Sequence, residues 1–148
     1  MTNEKIEAKM KLIEQYQISD NGYHPFLIRD GWQVAQLNYM PEQEIGNIKK
    51  LDIHHLTDEV FILLKGEAVL IGAKIKENNV DFEVELLKPN ITYNIPVNTW
   101  HNIAMSKDCE IIIVEKANTH EGDFEFFQLS QEKKKEMETL VRNAFDQH

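Results

Sequence analysis

Two short stretches of the chain carry histidines and carboxylates that could hold a metal ion. The first runs from Asp52 to Glu59 and contains His54 and His55, and the second ends at His101. Imidazole nitrogen combined with carboxylate oxygen suits Fe(II), Mn(II), Zn(II), Ni(II) or Cu(II). Either of the adjacent histidines could face inward. These residues predict one site for a divalent metal ion, provided that the fold brings the two stretches together.

The elements that must position these residues are predicted to be β-strands. From about residue 23 to residue 129, short apolar and β-branched runs alternate with turn residues at spacings of roughly 8–12 residues, which is typical of an antiparallel sandwich or barrel. Residues 3–17 and 130–145 instead place apolar side chains at helical spacing. The sequence therefore predicts a single all-β domain over residues 1–148, with a helix at each end.

Size, charge and cysteine content narrow the class of protein. A chain of 148 residues is long enough for one domain with a core and short for two. The net charge of -9 disfavours nucleic acid and anionic membranes, because both require a basic face. Cys109 is the only cysteine, which excludes an internal disulfide and a Cys-rich zinc site. No apolar run approaches the roughly 18 residues of a membrane span, and the charged N-terminal segment is unlike a secretion signal, so a cytoplasmic location is expected.

The two stretches resemble the paired signature motifs of the cupin superfamily. The first motif is matched at Gly46, His54, Glu59 and Gly66, with Asp52 in the place of its first histidine. In the second motif, Pro96 and His101 match, while Asn90 and Asn98 stand where glycines are expected. Asparagine is among the residues that best tolerate the positive φ that such turns need, so we expect both turns to form.

The glycine spacing of the resemblance selects a register for the histidines. Counted from Gly46, the motif places Asp52 at its first histidine position and His54 at its second. The other register would use His55, but it needs a ligand at Ile53. The resemblance thus implies that His54, Glu59 and His101 are the metal ligands, with Asp52 as a fourth candidate and His55 as the alternative.

The resemblance also implies a fold and a range of functions. It implies a small double-stranded β-helix, or jelly-roll barrel, that is commonly a homodimer and has a pocket at the barrel mouth. Cupins include dioxygenases, isomerases, epimerases, decarboxylases and binding proteins. We expect one divalent metal ion and a small-molecule ligand in the barrel, as in a metal-dependent dioxygenase or isomerase. The alternatives are a non-catalytic ligand-binding cupin and a metal-free cupin of the sugar isomerase or epimerase kind, with His54 or His101 as the base.

Overall fold

The structure is a computed structural model that describes residues 12–147. Ten strands and two α-helices follow one another along the chain: β1 Tyr23–Arg29, β2 Trp32–Asn38, β3 Lys50–Ile53, β4 Glu59–Lys65, β5 Ala68–Lys76, β6 Asn79–Leu86, β7 Thr92–Ile95, β8 Trp100–Met105, β9 Glu110–Glu115, α1 Thr119–Gly122, β10 Glu125–Gln128 and α2 Gln131–Phe145. Two 3-10 turns, Pro41–Gln43 and Ile45–Asn47, lie between β2 and β3.

The strands form two five-stranded antiparallel sheets. The first sheet has the order β1-β2-β9-β4-β7, and the second has the order β10-β3-β8-β5-β6. Apart from the hairpins β1-β2 and β5-β6, strands that follow one another in sequence lie in different sheets, as in a jelly roll. The predicted all-β jelly-roll architecture is confirmed.

The interior of the barrel is an apolar cluster contributed by both sheets. Phe61 of β4, Leu70 of β5, Ile103 of β8 and Ile111 of β9 are among its buried members. Side chains alternate between the two faces of a strand, so their neighbours point out of the barrel. On β5 the outward neighbours are buried as well, which explains why residues 68–71 are a continuous apolar run.

The outward face of the second sheet is covered by α2. Met137, Val141 and Ala144 lie on one side of this helix and pack in the same cluster as Val69 and Ile71 of β5. Ser130 caps the helix by accepting a hydrogen bond from the backbone N–H of Lys133. The predicted C-terminal helix is thus present and packs outside the barrel. Within residues 12–147, no helix has the length and apolar character needed to cross a membrane.

The predicted N-terminal helix is not seen in its described part. Residues 3–11 lie outside the described residues, and residues 12–17 are not helical. Just beyond them, the side-chain amides of Gln36 and Asn38 donate hydrogen bonds to the carbonyl of Ile18, and Asn38 also donates to that of Asp20. These contacts hold the approach to β1 beside the end of β2.

The last strand, β10, was not evident from the sequence. It pairs antiparallel with β3, from Glu125 opposite Ile53 to Gln128 opposite Lys50. Four residues are too few for a clear alternating pattern, which explains why the sequence did not reveal this strand. The pairing matters because it brings the segment around Asp123 next to His54.

Two kinds of turn behave as the motif comparison predicts. Asn90 and Asn98 both have positive φ, of 70° and 61°, so asparagine does replace glycine at these positions. Gly66 has φ +78°, and a Cβ there would lie 2.7 Å from Cys109 Cα and 2.8 Å from Cys109 N. Gly66 is therefore required both by its own conformation and by the close approach of the β9 backbone.

Replacing Gly66 by Ala is expected to reduce the free energy of unfolding by about 2–5 kcal/mol, from the positive φ and the backbone clash together. Gly31→Ala is the matched control, because Gly31 has φ +88° with no atom within 4 Å of the added Cβ. Only the conformational cost of about 1–2 kcal/mol should appear there. Denaturant unfolding of both variants measures the difference in their free energies of unfolding. Equal losses of stability would show that the approach of the Cys109 backbone to position 66 does not contribute.

Candidate metal centre

The residues predicted to bind metal meet at one end of the barrel interior. Asp52 lies on β3 and His54 directly after it, while Glu59 begins β4 and His101 lies on β8. Asp52 and His101 are register partners across β3 and β8. Glu59 reaches them from the opposite sheet. Both sheets therefore contribute to a single cluster.

Glu59 is the centre of the cluster. Its Oε2 lies 2.9 Å from His101 Nε2 and 3.0 Å from His54 Nε2, so one carboxylate oxygen serves both imidazoles. The two rings are tilted to each other by 55°, with centroids 5.1 Å apart. Glu59 and His101 are 7% and 4% exposed, which places this charged group out of contact with bulk water.

The far nitrogen of each imidazole is held by the backbone. His54 Nδ1 donates to the carbonyl of Asp123 at 2.6 Å, and His101 Nδ1 donates to that of Thr99 at 2.9 Å. A carbonyl oxygen only accepts, so both Nδ1 atoms carry a hydrogen. When the rings are neutral, their lone pairs are therefore on the two Nε2 atoms that converge at Glu59. Metal-binding histidines are commonly oriented in this way.

Burial and pairing oppose each other in setting the pKa values of the cluster. Burial would lower the pKa of His54, but the hydrogen bond to Glu59 and the charge of its carboxylate raise that pKa to about 9. His101 is raised for the same reason against a similar burial effect. For Glu59, burial would raise the pKa, but the hydrogen bonds and charges of His101 and His54 lower it overall. Without a metal ion, the cluster is therefore a buried network of two imidazolium groups around one carboxylate.

Asp52 lies at the edge of this network. Its Oδ1 is 3.8 Å from His54 Nε2 and has no hydrogen-bond partner, although it is buried. Burial raises the pKa of Asp52, while the charges of His101 and His54 oppose that rise. One ligand atom each from Asp52, His54 and His101 lie within 4.8 Å of one another. The fourth candidate thus joins the same cluster.

His55 lies outside the cluster. Its side chain is 45% exposed and contacts Glu125 Oε2 through Nε2 and Asn98 Oδ1 through Nδ1. The strand geometry therefore directs His54 inward and His55 outward, as in the register that the glycine spacing selects.

The cluster opens into a cavity of about 270 Å³. Its polar lining includes Tyr23, Gln43, Asn102 and His120 in addition to the cluster. Its apolar lining consists of seven residues: Leu37, Met40, Phe61, Ile103, Ile113, Phe124 and Phe126. No lysine or arginine is among the described residues that line it. The cavity is therefore small, mainly apolar, and without the cationic side chains that usually hold an anion.

Two residues that the sequence did not single out contribute to the site. Glu115, at the end of β9, has a carboxylate oxygen within 4.8 Å of ligand atoms of His54 and Glu59. The alternation of Ile111, Ile113 and Glu115 along β9 was a signal for its inward direction. Asp123 orients His54 through its carbonyl, and its side chain accepts hydrogen bonds from the backbone N–H groups of His55 and Leu56. A backbone contact of this kind has no sequence signal.

Solved structures with a similar fold come from several bacteria. BH2720 from Bacillus halodurans is 17% identical with a TM-score of 0.53, and the match covers 86% of this chain and 87% of that one. The capsular polysaccharide assembling protein CapF from Staphylococcus aureus is 18% identical with a TM-score of 0.53, over 83% of this chain and 35% of CapF. A cupin-2 domain containing protein from Shewanella frigidimarina is 20% identical with a TM-score of 0.45, over 77% and 90% of the two chains. The chain has the same fold as BH2720 and as the matched part of CapF.

At these identities the likeness extends to the fold of the chain and no further. The chain spans about a third of CapF, so the match concerns one part of that protein. No family model matches the sequence, and no curated protein matches it. The chemistry of this protein must therefore be argued from its own residues.

The pairing of His54 with Glu59 predicts how the stability of this protein depends on pH. In the metal-free protein, the pKa of His54 is about 9 when folded and about 6.5 when unfolded. Its pairing therefore stabilises the fold fully below pH 6.5, and this contribution is lost as the pH rises through 9. The free energy of unfolding of chelator-treated protein should fall over this interval, by up to about 3 kcal/mol.

Glu59→Gln should abolish most of this fall, because it removes the carboxylate that raises the pKa of His54. Glu125→Gln is the matched control, since Glu125 pairs with the exposed His55 and this variant should lose stability with pH as the wild type does. Urea unfolding at intervals between pH 6 and 9.5 measures the free energy of unfolding of each protein. An unchanged pH dependence in Glu59→Gln would show that the buried pair does not titrate as described.

Proposed function

We propose that this protein is a metal-dependent cupin that binds one divalent ion and a small ligand in its barrel. His54, Glu59 and His101 would hold the ion, with Asp52 as a fourth ligand. The observation that carries the proposal is the orientation of the two imidazoles. Because both Nδ1 atoms donate to backbone carbonyls, both Nε2 atoms are directed at the same carboxylate oxygen with their lone pairs available when neutral.

The donor atoms present fit a divalent ion of the Fe, Mn, Zn, Ni or Cu class. Two ligands that are each about 2.1 Å from an ion and at right angles are about 3.0 Å apart. The separations of 2.9 Å and 3.0 Å from Glu59 Oε2 to His101 and His54 agree with this value. The partnerless Oδ1 of Asp52 gives a further reason, because an unpaired buried carboxylate oxygen is costly and a cation beside it removes that cost.

The arrangement supports chemistry on a small oxygen-bearing substrate. A divalent ion with open positions can polarise a carbonyl or enol oxygen or activate O2. The protein's own part is to hold the ligands in fixed orientations and to limit water. Phe61, Phe124 and Phe126 form part of the cavity wall and supply apolar surface for the body of the substrate. We propose a dioxygenase or isomerase reaction on this basis.

The lining of the cavity points to an uncharged ligand. Carboxylates and phosphates are usually held by arginine or lysine, and neither lines the described cavity. Three acidic side chains, Asp52, Glu59 and Glu115, lie there instead. A volume of about 270 Å³ is below the usual range of about 300–1,000 Å³ for drug-sized ligands, which favours a small molecule.

A metal-free isomerase is less well supported. Such an enzyme needs a histidine with a ring nitrogen free to take a proton from the substrate. In both His54 and His101, Nδ1 donates to a carbonyl and Nε2 contacts Glu59, so the carboxylate competes with a substrate for the one nitrogen that could act as the base. The non-catalytic alternative would use the same metal site and cavity without turnover.

Replacing His101 by Ala should weaken binding of a divalent ion by about 100-fold or more, since the loss of a ligand should exceed the 10- to 100-fold effect of losing an outer partner. His55→Ala is the matched control, because it removes an exposed imidazole next to the cluster. Elemental analysis of protein purified without added metal or an affinity tag should give one ion per wild-type chain and per control chain. Titration calorimetry with Mn²⁺ or Zn²⁺ then measures the affinities, and circular dichroism checks the fold. Equal affinity in wild type and His101→Ala would exclude the proposed centre.

We propose further that the protein is a homodimer. The strand β1 ends its sheet, so its outer backbone groups are open to pairing with another chain. Ile28 on β1 and Trp32 on β2 are 39% and 45% exposed, which adds apolar surface near that edge. Sedimentation equilibrium at micromolar concentration should give twice the chain mass of 17.3 kDa. A monomer would contradict this proposal without affecting the metal centre.

The expectation of a cytoplasmic location also stays a proposal. It is supported by the single cysteine, because Cys109 is buried and free and has no second cysteine with which to form a disulfide within the chain.

A further inference from the structure

A row of three polar side chains crosses the first sheet beside the metal centre. Gln33 on β2 is the register partner of Glu115 on β9, and Glu115 is the register partner of Glu59 on β4. Directly opposite residues of antiparallel strands project from the same face of the sheet. All three are buried, Gln33 at 0% and both glutamates at 7% exposure. The row therefore faces the cavity, with two glutamates side by side.

Two buried glutamates in register would repel each other. Like charges directly opposite on neighbouring strands are destabilising, and burial increases the repulsion because little water screens it. Glu59 is balanced by His54 and His101, as described above. The side chains hydrogen-bonded to Glu115 are an uncharged tyrosine and an uncharged glutamine, and the imidazole within reach of it, His54, is shared with Glu59. A second glutamate in this position calls for a cation nearby.

The two oxygens of Glu115 are used differently. Oε1 accepts hydrogen bonds from the hydroxyl of Tyr23 at 2.6 Å and from Nε2 of Gln33 at 3.1 Å. The Gln33 amide is itself oriented by the backbone N–H of Asn118, which donates to its Oε1 at 2.8 Å. Oε2 of Glu115 is buried and has no hydrogen-bond partner. Tyr23 and Gln33 thus fix the carboxylate by one oxygen and leave the other free.

We infer that Glu115 is a further member of the metal centre, contributed by β9 and held in place by Tyr23 and Gln33. The inference rests on the proposed function, because it adds a residue to the same centre. One ligand atom each from His54, Glu59 and Glu115 lie within 4.8 Å of one another, so one ion can be near all three. The partnerless Oε2 is the oxygen available to it.

This addition changes the character of the centre. With Glu115, the candidate ligands are three carboxylates and two imidazoles, which is a donor set rich in oxygen. Carboxylate oxygen suits Mn²⁺ and imidazole suits Fe²⁺, whereas thiolate and thioether ligands select Zn²⁺ or Cu⁺. Three ionised carboxylates also exceed the charge of one divalent ion, so a neutral ligand is favoured over an anion. Both consequences agree with the absence of lysine and arginine from the described cavity lining.

The test is Mn²⁺ binding by wild type, Glu115→Gln and Glu110→Gln. Glu110 begins β9 at the end opposite Glu115 and does not line the cavity, so its variant is the matched control. Titration calorimetry at one pH should show an affinity about 10- to 100-fold lower in Glu115→Gln and unchanged in Glu110→Gln. The electron paramagnetic resonance spectrum of bound Mn²⁺ should also change in Glu115→Gln alone. A merely structural role would alter neither the spectrum nor the affinity of a folded variant.

The outcomes separate this inference from the proposed function. If wild type binds Mn²⁺ and Glu115→Gln has the same affinity and spectrum, Glu115 is not part of the centre, while the His54, Glu59 and His101 site stands. If neither Mn²⁺ nor any other ion of the proposed class binds to wild type, both proposals fail. Should Glu115→Gln not fold, Tyr23→Phe decides, because it removes one of the two hydrogen bonds that hold Oε1 and keeps the carboxylate. Its affinity should fall by about 10-fold, and an unchanged value would overturn the inference.

Discussion

The site depends on the burial of one carboxylate between two imidazoles. Glu59 would be costly to bury alone, because a charge removed from water loses its hydration. His54 and His101 compensate it from the opposite sheet at 3.0 Å and 2.9 Å. The same contact links the sheets at the barrel mouth, where the apolar interior gives way to polar groups. A metal ion would replace the imidazole protons of this contact and make the same three residues a coordination site.

The surrounding residues keep the contact in one geometry. The carbonyls of Asp123 and Thr99 fix the two imidazole rings, and the pairing of β10 with β3 holds Asp123 in position. The N–H of Asn98 donates to the carbonyl of His54 at 2.8 Å, so the two sequence motifs are joined directly through the backbone. In each of these contacts at least one partner is a backbone group, whose position is set by the fold and not by its own side chain. The geometry of the site therefore depends on the fold of the barrel.

Much of this arrangement could be predicted from the sequence, for identifiable reasons. Glycine spacing fixed the register that directs His54 inward, and the need for positive φ explained Asn90 and Asn98. Gly66 has a clear physical role, but Gly46 does not, since its φ is ordinary and a Cβ there would meet nothing within 4 Å. Gly46 therefore helped to predict the register of His54, although the structure does not require a glycine at this position.

The residues that sequence reasoning missed depend on long-range contacts. Glu115 lies 56 residues from Glu59 in sequence and becomes its neighbour only through strand pairing. The helix predicted over residues 3–17 lies mostly outside the described residues, and residues 12–17 are not helical. Local patterns report the face on which a residue lies. They do not report which strand lies beside it.

The most direct test of the central claim is to locate the ion in crystals of metal-loaded protein. Anomalous diffraction at the absorption edges of Mn, Fe and Zn should give one strong peak in the barrel. The account predicts a peak about 2.0–2.2 Å from Nε2 of both His54 and His101, with Glu59 as a third ligand. Loaded crystals with no peak at these atoms, or with a peak only at the exposed His55, would contradict it.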